Sequence, residues 1–286
     1  MKCLYRERVY ICGEFMETHI YPVFAKASNT RRARFKPTSE TQALLNQRNS
    51  EMYYTRLANT NFTSDDYKLE LTYNNEHLPK DDDEADRNVY NFIRRYKRLA
   101  KKAGVNEVKY FSKIETSRYH HHVMITGGVS PKKIAALWAP FGQVRRIAPL
   151  MFDETGIAGI SYYFIKDKQR YRRIHVSKNM KKPELIERTG RLSQKKVAKL
   201  AANTNDYKAY SELYNGYRLA EPPRVVNNLF VQREYIVARY YRTDANIYTN
   251  KPAYKRRSKT KEDLSDCNRT IEDSLFGVDR DNGIYT

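Results

Sequence analysis

The hydrophobic period of the sequence changes between residues 67 and 104, and this change constrains the fold more than any other feature. Residues 67–73 alternate between apolar and polar side chains, which is the pattern of a half-buried strand. After the acidic run 81–83, apolar residues recur at helical spacing until Gly104. This predicts an amphipathic helix of about 18 residues. A strand followed by such a helix indicates a domain in which helices pack on a sheet.

The chain beyond Gly104 continues to alternate between strands and helices. The runs 108–115 and 121–126 predict an antiparallel hairpin, because only the short connection 116–119 separates them. Weaker patterns predict a helix at 131–138, a strand at 144–152, a helix at 156–168, a helix at 193–202 and a strand at 225–241. We therefore predict an α+β fold without internal repeats.

The strength of these patterns varies along the chain and predicts four segments. Residues 1–62 are irregular and basic, and we expect an N-terminal extension with no fold of its own. Residues 63–200 carry the clear periodicities and form the predicted core, and 201–254 extend that core. Residues 255–286 are polar and are predicted to be a flexible tail.

The charge of the chain predicts a polyanionic partner. The 286 residues include 53 Lys and Arg against 33 Asp and Glu, a net charge of +20, which is more than solubility requires. Nucleic acid is the first candidate. A membrane surface also attracts basic proteins, but no apolar run approaches the roughly 20 residues of a spanning helix. The 24 tyrosines suit stacking on unpaired bases, although tyrosine is also common in half-buried strands.

The cysteines exclude two kinds of small scaffold. Cys3, Cys12 and Cys267 are odd in number, widely separated and without a CxxC pair, which argues against a disulfide framework and a zinc ribbon. No apolar stretch near Met1 has the pattern of a signal peptide. We expect a cytoplasmic protein.

Three consecutive histidines lie at the start of the second predicted hairpin strand. Residues two apart on a strand share a face, so His120 and His122 would project together while His121 points the other way. Glu115 lies on the partner strand and would complete a metal site with open positions for a substrate oxygen. The alternative is a solvated strand end. The residue types leave manganese, iron, zinc and magnesium open.

A second constellation lies on the helix predicted at 156–168. Tyr163 is three residues and Tyr162 four residues before Lys166, so either phenol can lie beside the ammonium group. A nearby cation favours the phenolate, which could attack phosphorus. Alternatively, Lys166 simply contacts a phosphate, or the stretch is an ordinary amphipathic helix. Basic residues expected to follow the DNA backbone are Arg118, Lys168, Arg170, Arg172, Arg173, Lys178, Lys181 and Lys182.

Together these motifs resemble those of a known family. The ordered runs 69–79 (LELTYNNEHLP), 118–125 (RYHHHVMI) and 163–166 (YFIK) resemble the HUH-superfamily initiators of rolling-circle replication. The likeness is strongest to the initiators of small, microvirus-like single-stranded DNA phages and of related mobile elements. The run 177–183 also resembles the segment after the tyrosine motif, and the resemblance covers about residues 67–183.

The resemblance implies a fold and a site. The fold would be an HUH endonuclease fold with a central antiparallel sheet of about five strands that carries the metal site. His120 and His122 would be the paired ligands of Mg²⁺ or Mn²⁺, and Glu115 the third ligand. Tyr163 would be the nucleophile, and Lys166 the lysine of the tyrosine motif. The position four after Tyr163 is an aspartate, so we predict a single-tyrosine mechanism with Tyr162 as the alternative nucleophile.

The implied function is a site-specific single-stranded DNA endonuclease and strand transferase that initiates rolling-circle replication through a 5′-phosphotyrosine. Its partners would be single-stranded DNA at an origin and a host helicase and polymerase, because the chain has no P-loop motif. It would act in the host cytoplasm if a phage encodes it. The alternatives are a non-catalytic single-stranded DNA-binding protein for packaging or repression, and a mobilisation relaxase or transposase of the same chemistry.

Overall fold

The computed structural model describes residues 3–24, 39–159, 174–228, 233–245 and 247. The strands in these ranges are β1 (Cys3–Cys12), β2 (Phe15–Phe24), β3 (Tyr67–Tyr73), β4 (Tyr110–Glu115), β5 (His120–Ile125), β6 (Gly142–Pro149), β7 (Ile174–Val176), β8 (Glu184–Thr189), β9 (Tyr217–Leu219), β10 (Arg224–Asn228) and β11 (Arg233–Arg242). The helices are α1 (Ser39–Asn61), α2 (Asp82–Lys102), α3 (Pro131–Trp138), α4 (Gln194–Ala202) and α5 (Tyr207–Ser211). None of these helices is long and apolar enough to cross a membrane.

The described chain is α+β with two antiparallel sheets, which confirms the predicted class. It divides into two compact units. The first comprises residues 1–56, 153–156 and 183–286, and the second comprises 57–152 and 157–182. The second unit is the one that contains the predicted hairpin.

The second unit is built on a five-stranded sheet in the order β6-β3-β5-β4-β7, so β5 is its central strand. Helix α2 covers one face of this sheet. Its buried residues Val89, Phe92 and Tyr96 join Leu69 of β3 and Val123 of β5 in a single hydrophobic core. The residues that alternate with Val123 along β5 therefore face away from α2.

Helix α2 begins and ends where its sequence predicts. The Asp81 side chain accepts a hydrogen bond of 2.7 Å from the Glu84 amide at the N-terminus, which satisfies one of the free amides of the first turn. Lys101 and Lys102 occupy the last turn, where cations interact favourably with the helix dipole. Gly104, with a φ of 85°, follows the end of the helix. The prediction of this helix is confirmed.

The first unit is built on a second sheet in the order β10-β11-β2-β1-β8, with β9 paired to β11. One face packs on α4 and α5 through a core that includes Tyr5, Ile20, Leu200, Tyr210 and Ile236. Strands from both ends of the chain therefore share one sheet. The structure thus divides the chain differently from the sequence-based boundaries.

Residues 1–62, to which the sequence assigned no fold of their own, contain β1, β2 and α1. Strand β1 does alternate between buried and more exposed positions, but one of its buried positions is Glu7. Arg191 and Tyr214 donate hydrogen bonds to the Glu7 carboxylate. The charged Glu7 at an inward position breaks the alternation of apolar and polar residues by which a strand is recognised. Its partners Arg191 and Tyr214 are 184 and 207 residues further along the chain.

Other predictions differ in detail. The run 225–241 forms two antiparallel strands, β10 and β11, rather than one. Residues 184–189 were placed in the core segment 63–200 without a predicted strand, but they form β8 and pair with β1 of the other sheet. The short strands β7 and β9 were not predicted either. The helix predicted at 156–168 falls mostly on residues 160–173, which lie outside the described part of the chain.

Candidate metal centre

The β4–β5 hairpin brings together the three residues expected to bind a metal. Glu115 is paired directly with His120 across the hairpin, as predicted from the short connection. The rings of His120 and His122 lie on the same face of β5, with centroids 4.9 Å apart and planes at 80°. The Glu115 carboxylate lies 3.8 Å from His120 Nε2 and 3.6 Å from His122 Nε2.

These three residues could hold one metal ion. One ligand atom from each of Glu115, His120 and His122 lies within 4.8 Å of the other two. Two atoms bound to a common ion through bonds of about 2.1 Å are at most about 4.2 Å apart, and the distances of 3.8 and 3.6 Å from Glu115 to the two imidazoles are within that limit. In the part of the chain that the structure describes, this is the one group of His, Cys, Asp and Glu side chains with that geometry. Two imidazoles and a carboxylate suit a divalent cation and leave positions for further ligands.

Local contacts orient the His120 ring and favour the neutral form of His122. The Arg118 carbonyl accepts a hydrogen bond of 2.8 Å from His120 Nδ1, which leaves Nε2 as the ring nitrogen on the side of Glu115. Burial lowers the pKa of His122, and the charge of His120 lowers it further, although Glu115 raises it. A neutral imidazole is the form that binds a metal.

His121 points to the opposite face of β5, as predicted, and is fully buried. Its Nε2 lies 2.8 Å from the Tyr73 hydroxyl, and its ring meets Trp138 edge-on at 5.7 Å. Burial lowers the pKa of His121 to about 3, so its imidazole stays neutral. His121 therefore belongs to the core beneath the site rather than to the ligand group.

The connection of the hairpin is held to the end of β3. The Arg118 guanidinium donates a hydrogen bond of 2.8 Å to Asn75 Oδ1 and one of 3.5 Å to the Tyr73 carbonyl. These contacts position the turn that precedes His120. Contact between Arg118 and DNA remains a prediction.

Two further charged residues lie on the ligand face of the sheet and were missed in the sequence. Glu70 of β3 and Lys113 of β4 are the two residues paired with His122. Only 1% of the surface of Lys113 is exposed, which is rare for a lysine. The alternation along β4 places Lys113 on the same face as Glu115, so the period of two could have identified it.

The structure describes only part of the remaining predicted site. The predicted nucleophiles and the lysine beside them, together with four of the basic residues, lie outside the described part of the chain: Tyr162, Tyr163, Lys166, Lys168, Arg170, Arg172 and Arg173. Lys178, Lys181 and Lys182 are exposed beyond β7. The Asn61 side chain exchanges two hydrogen bonds with the Lys181 backbone, which anchors this loop.

Comparisons of the chain with models of protein families, with curated proteins and with solved structures found no match. The chemistry of the site therefore has to be inferred from its own residues.

Proposed function

We propose that this protein is a metal-dependent, site-specific single-stranded DNA endonuclease and strand transferase that initiates rolling-circle replication. One observation carries the proposal. Glu115, His120 and His122 converge beside a central strand of a five-stranded antiparallel sheet, on the face turned away from α2. The motif resemblance implied this placement of the ligand group, and we propose the HUH endonuclease fold on the same ground.

The described ligands suit phosphate chemistry. Held by Glu115, His120 and His122, Mg²⁺ or Mn²⁺ would polarise an oxygen of the scissile phosphate and stabilise developing negative charge. His120 and Glu115 face each other across the hairpin, so the strands themselves position the two ligand types. Lys113, which is paired with His122 across the hairpin, adds a buried basic side chain on the ligand face, and a positive group there would favour an anionic substrate.

The bond changes follow from a tyrosine nucleophile. The Tyr163 phenolate oxygen forms a bond to the scissile phosphorus, and the bond from phosphorus to the 3′ oxygen breaks. The released oxygen takes a proton and becomes a free 3′-hydroxyl, while the 5′ phosphate stays on Tyr163. Lys166, one helical turn away in the sequence pattern, would favour the phenolate. The 3′-hydroxyl can then prime synthesis by a host polymerase, with a host helicase opening the duplex.

A labelling experiment tests this function. The protein is incubated with single-stranded oligonucleotides that tile the DNA carrying its gene, each labelled at the 3′ end, with Mn²⁺ or with EDTA. We expect a labelled protein adduct in Mn²⁺ only. Tyr163→Phe should abolish the adduct, and Tyr162→Phe, the matched control, should retain it.

The alternatives predict different results. An adduct that persists in Tyr163→Phe but disappears in Tyr162→Phe would move the nucleophile by one residue. Binding of the oligonucleotides without any adduct in Mn²⁺ would overturn the proposed activity and favour a non-catalytic single-stranded DNA-binding protein.

A further inference from the structure

After its acidic first turn, helix α2 has a strongly positive outer face. Residues 87–102 include seven Lys and Arg and no Asp or Glu. Six of the seven have exposed side chains: Arg87, Arg94, Lys97, Arg98, Lys101 and Lys102. The buried stripe of the same helix packs on the sheet, so these cations point away from the core.

These cations are not neutralised by neighbouring acids. Within the described residues, Arg87, Arg94, Arg98, Lys101 and Lys102 form no ion pair. Lys97 lies over the ring of Tyr110, with its Nζ 5.2 Å from the ring centroid. Charged residues on a surface helix usually include acids at three- or four-residue spacing. Asp83 and Glu84 have this spacing to Arg87, but none of the later cations has an acid at such a position on α2, and their charge is left for an external partner.

An exposed aromatic ring lies in the same stripe. Tyr90 is 62% exposed, far more than a tyrosine that packs on its own protein. Arg87 is three residues before it and Arg94 four residues after it, so both lie beside its ring on the helix surface. An open aromatic ring between cations suits an unpaired base stacked on the ring and phosphates held by the flanking charges.

This surface is distinct from the metal centre. Val123 and Ile125 of β5 lie in the core with α2, whereas His120 and His122 project from the other face of that strand. The thickness of the sheet therefore separates the two. From Arg87 to Lys101 the stripe is about 21 Å long at the rise of an α-helix.

We propose that this stripe, comprising Arg87, Tyr90, Arg94, Lys97, Arg98 and Lys101, is a second binding surface for single-stranded nucleic acid. It goes beyond the proposed nuclease activity, because the metal site on the opposite face of the sheet cannot hold the same nucleotides. A protein that cleaves DNA at one face of its sheet can in this way bind a separate stretch of single-stranded DNA at the other face. The binding needs neither the metal nor a tyrosine nucleophile.

The test uses the full chain in EDTA and a fluorescent oligothymidylate of about 30 nucleotides, whose affinity is measured by anisotropy from about 0.05 to 0.3 M salt. The first variant, Arg94→Gln with Lys101→Gln, removes two charges. The slope of log affinity against log salt should then fall by about 1.4. The second variant, Tyr90→Gln, should weaken binding about tenfold with the slope unchanged.

The matched control removes two exposed charges elsewhere, Lys195→Gln with Lys199→Gln on α4. We expect this control to keep the affinity and the slope of the wild type. Circular dichroism melting curves show whether each variant is folded. Because no metal is present, a failed adduct experiment leaves this proposal standing.

Three results would overturn the proposal. The first is wild-type affinity and slope in both stripe variants. The second is an equal loss in the α4 control, which would mean that the charge acts without a specific surface. The third is that the stripe variants bind oligothymidylate as well as the wild type does, but bind a duplex of the same length, or vesicles of phosphatidylserine, more weakly.

Discussion

Three neighbouring histidines have two different environments, and the strand pleat decides which is which. The Nε2 atoms of His120 and His122 face the Glu115 carboxylate. His121 is enclosed by Tyr73 and Trp138, and its burial keeps it neutral. At the scale of the residue, the alternation along one strand therefore separates two candidate metal ligands from a residue that packs in the core.

Replacement of Glu115 tests the ligand group. Glu115→Gln keeps the size of the side chain but removes the negative charge, so we expect the Kd for Mn²⁺ to rise at least about tenfold. Titration calorimetry measures this constant. Glu212→Gln is the matched control, because Glu212 is an exposed carboxylate on the other unit that is paired with Lys208. Unchanged Mn²⁺ affinity in Glu115→Gln would exclude it as a ligand.

At the scale of the element, the ligand strand depends on a close approach just beyond its end. A Cβ atom on Gly127 would lie 2.0 Å from the Asp65 carbonyl oxygen, and the Gly127 amide donates a hydrogen bond of 2.9 Å to Asp66 Oδ1. Gly127 therefore lets β5 end against the segment that precedes β3. The strand predicted at 121–126 ends just before this glycine, but the sequence does not reveal the contact that requires it.

Gly127→Ala should lower the free energy of unfolding by roughly 1–3 kcal/mol, because backbone has to move to admit the methyl group. Urea denaturation measures the change. Gly190→Asn is the control. Gly190 has a φ of 83° and open space around its Cβ position, and Asn tolerates this conformation. A Gly127→Ala variant as stable as the wild type would show that the loop yields without strain.

At the scale of the whole molecule, each unit has its own sheet and its own hydrophobic core. The sheet of the first unit also carries a buried ionic cluster. Glu17 of β2 accepts hydrogen bonds from Arg56 of α1 and Arg239 of β11, and His19 contacts the same carboxylate. The cluster ties together elements from distant parts of the sequence. It should therefore make the stability of this unit sensitive to acid.

The pH dependence of Glu17 has a definite sign. Burial by itself raises the pKa of Glu17, but the hydrogen bond from His19 and the charges of Arg56 and Arg239 lower it to about 2. Because this is below the value in the unfolded chain, Glu17 stabilises the fold above pH 4.5. We expect its contribution, about 3 kcal/mol, to be lost as the pH falls from about 4.5 to 2.

Urea denaturation at several pH values tests this expectation. Glu17→Gln should be less stable than the wild type at neutral pH, and the difference should shrink as the pH falls through the acid range. Glu212→Gln again serves as the control, and it should retain the pH dependence of the wild type. A constant difference between Glu17→Gln and the wild type at every pH would contradict the assignment.

Much of the second unit could be predicted from the sequence. Strand β3, helix α2, the β4–β5 hairpin and α3 all have local patterns, and each was found where it was expected. The ligand group followed because a short connection forces Glu115 and His120 into opposition. Glu70 and Lys113 could have been placed beside them by the same alternation, but only once the pairing register was known.

The sequence by itself determined the α+β class, the central hairpin and the separation of His121 from its two neighbours. These features depend on the period of a strand or a helix, which acts over a few residues. Only the tertiary structure decided that β1 pairs with β8 and that β2 pairs with β11. These pairings join residues far apart in the chain. The charged side chains that point inward from β1 and β2 are neutralised only once the partner strands have paired with them.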